Sequence, residues 1–170
     1  MKYGIVIFPA KPLQDFVNSY RKRYDPHYTH IPPHITLKSG FDADDQEIKT
    51  IIPMLHVMAH RFEPFDITVT KFSSFKPVNN VIYLKIDPKD DLVNLHNEIE
   101  AQFPNHIPEY VYVPHITIGQ KLTNDEHSDV FGSLQMLKLN KQDQVDRFHL
   151  VYQLENGSWT VYETFRLGKE

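Results

Sequence analysis

The chain has 170 residues, 41% hydrophobic and 24% charged, with a formal charge of −4 and a pI near 6.2. That balance fits one domain or two small lobes able to bury about 70% of the unfolded surface, and it argues against a dedicated nucleic-acid coat or a membrane-surface binder. The absence of cysteine excludes disulfides, thiolate metal sites and a cysteine nucleophile.

Residues 3–8 read as a strand that Pro9 ends. This apolar run is too short for a signal peptide or a membrane span, so a cytoplasmic location and no membrane partner are expected. Leu13, Phe16, Val17 and Tyr20 recur at helical spacing through about residue 23. Asp25-Pro26 opens a turn-rich stretch. Pro33-His34-Ile35-Thr36-Leu37 then reads as a short strand, with proline in the first position and β-branched or leucine side chains after it. A helix is expected over residues 44–60, with Pro53 as a kink or break, and a strand over 65–72.

The second half opens in the same way. Residues 81–86 read as a strand closed by Asp87-Pro88, and Leu92, Leu95, His96 and Ile99 mark a helix. Pro104-Asn105-His106 and Pro108 break that helix before Pro114-His115-Ile116-Thr117-Ile118. Thr123-Asn124-Asp125-Glu126 has the form of a capping box and starts another helix. A strand over 145–154 is joined to one over 159–167 through Asn156-Gly157, a strong hairpin signal.

These correspondences describe one unit used twice. Pro9 matches Pro88 and Leu13 matches Leu92 at an offset of seventy-nine residues, while the two motif histidines are eighty-one apart. Gly4 and Val6 then match Tyr83 and Lys85. The expected fold is α+β: a single domain over 1–170 made of two intertwined pseudo-repeats. Its two pseudo-symmetric lobes have antiparallel sheets facing a central cleft and helices outside.

In a strand, alternate side chains share a face. His34 and Thr36 therefore point one way and Ile35 and Leu37 the other, and His115 and Thr117 repeat this against Ile116 and Ile118. One His-apolar-Thr-apolar match is a weak signal, but two copies, each preceded by proline, point to a paired site. Histidine titrates near neutrality, so two of them can supply the base and the acid that open a phosphodiester. Thr36 and Thr117 can donate hydrogen bonds to the non-bridging oxygens. The pattern alone leaves open which histidine takes which role. This scheme requires no metal and no cofactor, and familiar metal-ligand spacings are missing from the chain.

Other residues are candidates at the rim. Lys38 shares the face of His34 and Thr36 if the strand continues, where it would neutralise phosphate; the alternative is a solvated lysine at a strand end. Tyr83 and Lys85 lie on one face of their strand, suited to stacking on a base and meeting a phosphate, or else simply exposed. Arg147, His149 and Gln153 share a face of the later strand, and His27 and His30 stand just before the first motif. His56 and His60, spaced i, i+4, read as a solvent-facing pair rather than metal ligands. Arg21-Lys22-Arg23 reads as a basic run that meets the helix dipole.

The paired motifs in a duplicated α+β chain resemble the 2H phosphoesterase superfamily, which includes the bacterial RNA 2′,5′-ligase-like (LigT) proteins and cyclic-nucleotide phosphodiesterases. Residues 1–9, 20–26, 73–83 and 145–165 resemble the YjcG group of phosphoesterases from Gram-positive bacteria. The resemblance covers nearly the whole chain. It implies His34 as proton donor and His115 as proton acceptor, in a hydrolase acting on phosphoric esters. The expected substrate is a cyclic phosphate or 2′,5′-type phosphodiester of a nucleotide or RNA end, without extended nucleic-acid binding. The RNA 2′,5′-ligase direction of the same chemistry and a non-catalytic module binding nucleotides or RNA ends are the alternatives.

Overall fold

The computed structural model describes residues 1–106 and 111–168; Pro108, read above as a helix breaker, lies outside them. In the first half the chain runs β1 (Lys2–Ile7), α1 (Lys11–Tyr24), β2 (Ile35–Asp42), α2 (Asp45–His60) and β3 (Phe65–Ser74). It continues as β4 (Ile82–Asp87), α3 (Asp90–Ala101), β5 (His115–Gly119) and α4 (Asn124–Leu134), then β6 (Lys138–Val145), β7 (Arg147–Gln153) and β8 (Trp159–Arg166). No helix among the described residues is long and apolar enough to cross a membrane.

Local chemistry sets several boundaries. Asp44 caps α2 by accepting from the Glu47 amide at 2.8 Å while Glu47 accepts from the Asp44 amide, and Thr123 and Glu126 repeat the device on α4. The helix runs on through Pro53 rather than ending there. Asn156-Gly157 does turn the β7–β8 hairpin, with Gly157 at φ 90°, a conformation glycine adopts without a Cβ clash. The strand expected over 145–154 is divided at Asp146. Before it, β6 pairs with β3; after it, β7 pairs with β1. The chain changes lobes at this residue.

All strand pairs are antiparallel, in the order β6-β3-β4-β5-β2-β1-β7-β8. The two four-stranded halves meet where β2 joins β5, through the pair Ile35–Ile116. Ile35 and Ile116 occupy the same place in the two motifs, so the junction lies on the pseudo-two-fold axis. The helices cross over. α1 packs on β5 and α4 on β3, while α3 packs on β2 and α2 on β8. Each half is thus covered partly by a helix that the other repeat supplies. Ile35, Ile116, Leu84, Leu95 and Val17 are fully buried in the resulting core.

The strand register corrects the repeat alignment. Val6 stands opposite Thr36, and Tyr83 stands opposite Thr117. Val6 rather than Gly4 is therefore the counterpart of Tyr83. A bulge in β2 carries the chain from Thr36, opposite Val6, to Lys38, opposite Ile5. One extra residue reverses the alternation of faces.

Candidate active site

The two motif histidines are held in the same way. His34 Nδ1 bonds the Pro32 carbonyl at 2.8 Å, and His115 Nδ1 bonds the Val113 carbonyl at 2.7 Å. A carbonyl only accepts, so Nδ1 carries the proton in both rings and Nε2 keeps its lone pair. Neither Nε2 has a protein partner among the described residues.

Thr36 and Thr117 follow on the same faces, as the alternation predicts. Together with His34 they line a cavity of about 290 Å³ that also takes in Gly4, Val6, Gln120 and Trp159. Neither threonine hydroxyl is used in a side-chain hydrogen bond among the described residues. His115 stands beside Thr117 on β5 with its ring edge-on to Phe75 (5.0 Å between centroids) and tilted against Tyr83 (5.4 Å). The half-sites are within electrostatic reach, since a positive charge on His115 opposes protonation of His34.

Both imidazoles are hard to protonate in the free protein. Desolvation lowers His34 to about 4, reinforced by the charges of Arg21 and His115, while the Pro32 carbonyl and Asp25 act the other way. His115 is lowered by desolvation, with the Val113 carbonyl opposing. Both histidines are half-buried, so the protein shields them without closing them off.

Several residues lie elsewhere than the sequence suggested. Lys38 is on the opposite side of β2 from Thr36, because of the bulge. Its ammonium is buried, bonded to Glu100 of α3 at 2.8 Å and placed over the rings of Phe41 and Phe103. Lys38 nonetheless borders the cavity, and its carbonyl lies against Gly4. Tyr83 is on the cleft face but largely buried, stacked on Phe75 at 4.3 Å; the pair walls in His115 rather than offering a free platform. Lys85 is exposed and stands directly across from His115. His149 bonds the Thr164 hydroxyl, Arg147 pairs with Asp146 and Gln153 bonds the Gly157 carbonyl. His27 borders the cavity, and His30 packs under the Gly157 turn. His56 bonds Glu163.

Sequence reading missed what supports the first motif. Arg21 is not a solvated member of a basic run. It is buried, with Nε on Asp25 at 3.1 Å and the other guanidinium nitrogens on Asn18 and the Ile31 carbonyl. Asp25 in turn accepts from the His27 amide and from Gln120 Nε2, both at 2.9 Å. The signal was present: Leu13, Val17 and Arg21 are spaced four apart on one helix stripe. On the other side of β2, Tyr112 donates to the Thr36 carbonyl at 2.7 Å and stacks on His96, whose Nδ1 bonds the Leu37 carbonyl. The loop before His115 is thereby tied to the strand that carries Thr36.

Comparison with known proteins identifies the fold and the family. The chain superposes over 99% of its length on Escherichia coli LigT complexed with 3′-AMP (TM-score 0.76, 15% identity, 98% of that chain). It superposes over its whole length on TT0787 of Thermus thermophilus (TM-score 0.76, 18% identity, 100% of that chain). At those identities the likeness is one of fold. Residues 9–157 match the 2′-5′ RNA ligase superfamily, and the chain belongs to that family, the two-histidine phosphoesterases. It is 54% identical over 170 residues (100% of the chain, 99% of the relative) to a Bacillus pumilus protein named "Putative phosphoesterase". A Geobacillus sp. WCH70 protein of similar name is 56% identical over 168 residues (99% and 97%).

Proposed function

We propose that the chain hydrolyses a cyclic phosphate or 2′,5′-type phosphodiester of a nucleotide or RNA end, without metal, by two-histidine acid/base catalysis. The observation that carries this reading is the pair of Nδ1-anchored imidazoles, each with an unused Nε2 and each followed by a threonine with an unused hydroxyl, the two threonines lining one cavity with His34.

In this reading His115 Nε2 takes a proton from water as its oxygen bonds to phosphorus. The bond from phosphorus to the departing sugar oxygen breaks, and His34 Nε2 delivers a proton to that oxygen. Thr36 and Thr117 donate to the non-bridging oxygens, where charge builds in the transition state. The assignment of donor and acceptor follows the family resemblance. Because His34 is neutral in the free protein, its proton is supported by the bound anion, whose negative charge raises the imidazole pKa. The solved structures of LigT with 3′-AMP, NADP+ and ATP support a nucleotide-class ligand here.

The test is turnover of a panel of 2′,3′-cyclic nucleotides and cyclic-phosphate-ended oligoribonucleotides in the presence of EDTA. EDTA-resistant hydrolysis of at least one member is expected. Binding without turnover on every member would replace hydrolysis with recognition, and formation of a 2′,5′ linkage from the split ends would set the ligase direction.

A further inference from the structure

The open face of the second half carries a feature the chemistry above does not use. Across the sheet from His115, the register aligns Lys85 of β4, Lys71 of β3 and Lys138 of β6 in one line. A bulge in β3 between Val69 and Lys71 brings Lys71 opposite both lysines at once. All three are exposed, and none forms an ion pair or side-chain hydrogen bond among the described residues. Like charges directly opposite on neighbouring strands destabilise a sheet. A run of three in a chain of net charge −4 is thus a standing electrostatic cost that an anion would relieve. The flanking lines on this face are Thr117–Tyr83–Ser73 on one side and Asp87–Thr68–Gln142 on the other. Asp87 is the one acidic side chain in them. In the first half the cross-strand basic pair is Arg147–Arg166 of β7 and β8, and there Arg147 is already paired with Asp146.

From this uncompensated line we propose that Lys85, Lys71 and Lys138 form a track for successive phosphates of a single-stranded oligonucleotide, leading away from His115 over the second half. With strands roughly 4.8 Å apart, the track extends about 14 Å from the β5 backbone, beyond the reach of a mononucleotide's single phosphate. The proposal rests on the phosphoesterase reading for the position of the reacting end, and it gives the substrate a direction.

The test uses the full chain and Lys71→Gln/Lys138→Gln, whose sites lie two and three strands from His115. The probes are a pentanucleotide ending in a 3′-phosphate for binding across a salt series, and a 2′,3′-cyclic mononucleotide for turnover. Wild type is expected to bind the pentanucleotide with a salt dependence that falls in the variant by about 0.7 in log–log slope for each lysine removed. Mononucleotide turnover is expected to stay the same. Unchanged pentanucleotide affinity and slope would overturn the track while leaving the phosphoesterase reading intact. A reduced slope in a protein that turns over no cyclic phosphate would keep the track and remove the hydrolase reading. Equal competition by a polyglutamate of matched charge would overturn the nucleic-acid partner.

Discussion

His34 and His115 each give their Nδ1 proton to a carbonyl two residues upstream, and that one bond decides what chemistry remains. It leaves Nε2 as the only nitrogen able to take or deliver a proton. The motif face was legible in the sequence, because period-two alternation places His and Thr together whatever surrounds them. The anchoring was not, since it depends on how the chain enters each strand. Lys38 failed for a related reason: alternation holds only until a bulge, and the bulge in β2 follows Thr36 directly. A pH consequence belongs at this scale. Both histidines are lowered from 6.5, His34 to about 4. The profile of kcat/KM reports the free enzyme's pair as macroscopic values. Activity is lost at low pH as the base becomes protonated and at high pH as the acid loses its proton. The maximum is therefore expected below 6.5, the ordinary histidine value; a maximum above 6.5 would contradict the depressed pair. Replacing Thr36 or Thr117 by valine should lower kcat by about 10²–10³ with a smaller effect on KM, as expected for a donor to developing charge. A change confined to KM would argue for ground-state binding.

At the scale of elements, most strands and all four helices among the described residues were readable from periodicity, caps and turn chemistry. The omission was β6, whose residues from Lys138 to Gln144 are mostly exposed and, apart from Leu139, polar. An edge strand with little to bury has no hydrophobic period to reveal it. Helix α1 shows how a charge can be hidden in plain view. Arg21 lies on the Leu13–Val17 stripe and is drawn under the cleft with Asp25, joining α1 to the stretch before His34 and to Gln120 after the second motif. Arg21→Met should cost about 3–5 kcal/mol, because Asp25 is left buried with its main charge partner gone. A urea-unfolding midpoint close to wild type would show that Asp25 is satisfied without the guanidinium. Tyr112 and His96 brace the opposite side of β2, and neither role was visible in the sequence, where the two lie sixteen residues apart.

At the scale of the molecule, the two-lobed sheet brings the two motifs to one junction. The two half-sites lie on strands that meet at Ile35–Ile116, and the crossed packing of α1 and α3 makes each half depend on the other. The pairing of motifs was legible because repeated residues mark symmetric positions. The asymmetry was not, because Arg21 and Asp25 beside His34, Phe75 and Tyr83 beside His115, and the lysine line on one half come from register and packing. If the two halves form one catalytic unit, their contributions are not additive. The most direct measurement is therefore turnover of the best cyclic phosphate by His34→Ala, His115→Ala and the double variant, with ligand affinity measured alongside. Each single variant is predicted to lose about 10²–10⁴ in kcat while still binding, with the double variant no worse than about the poorer single. Near-wild-type turnover in either single variant would contradict a two-histidine mechanism.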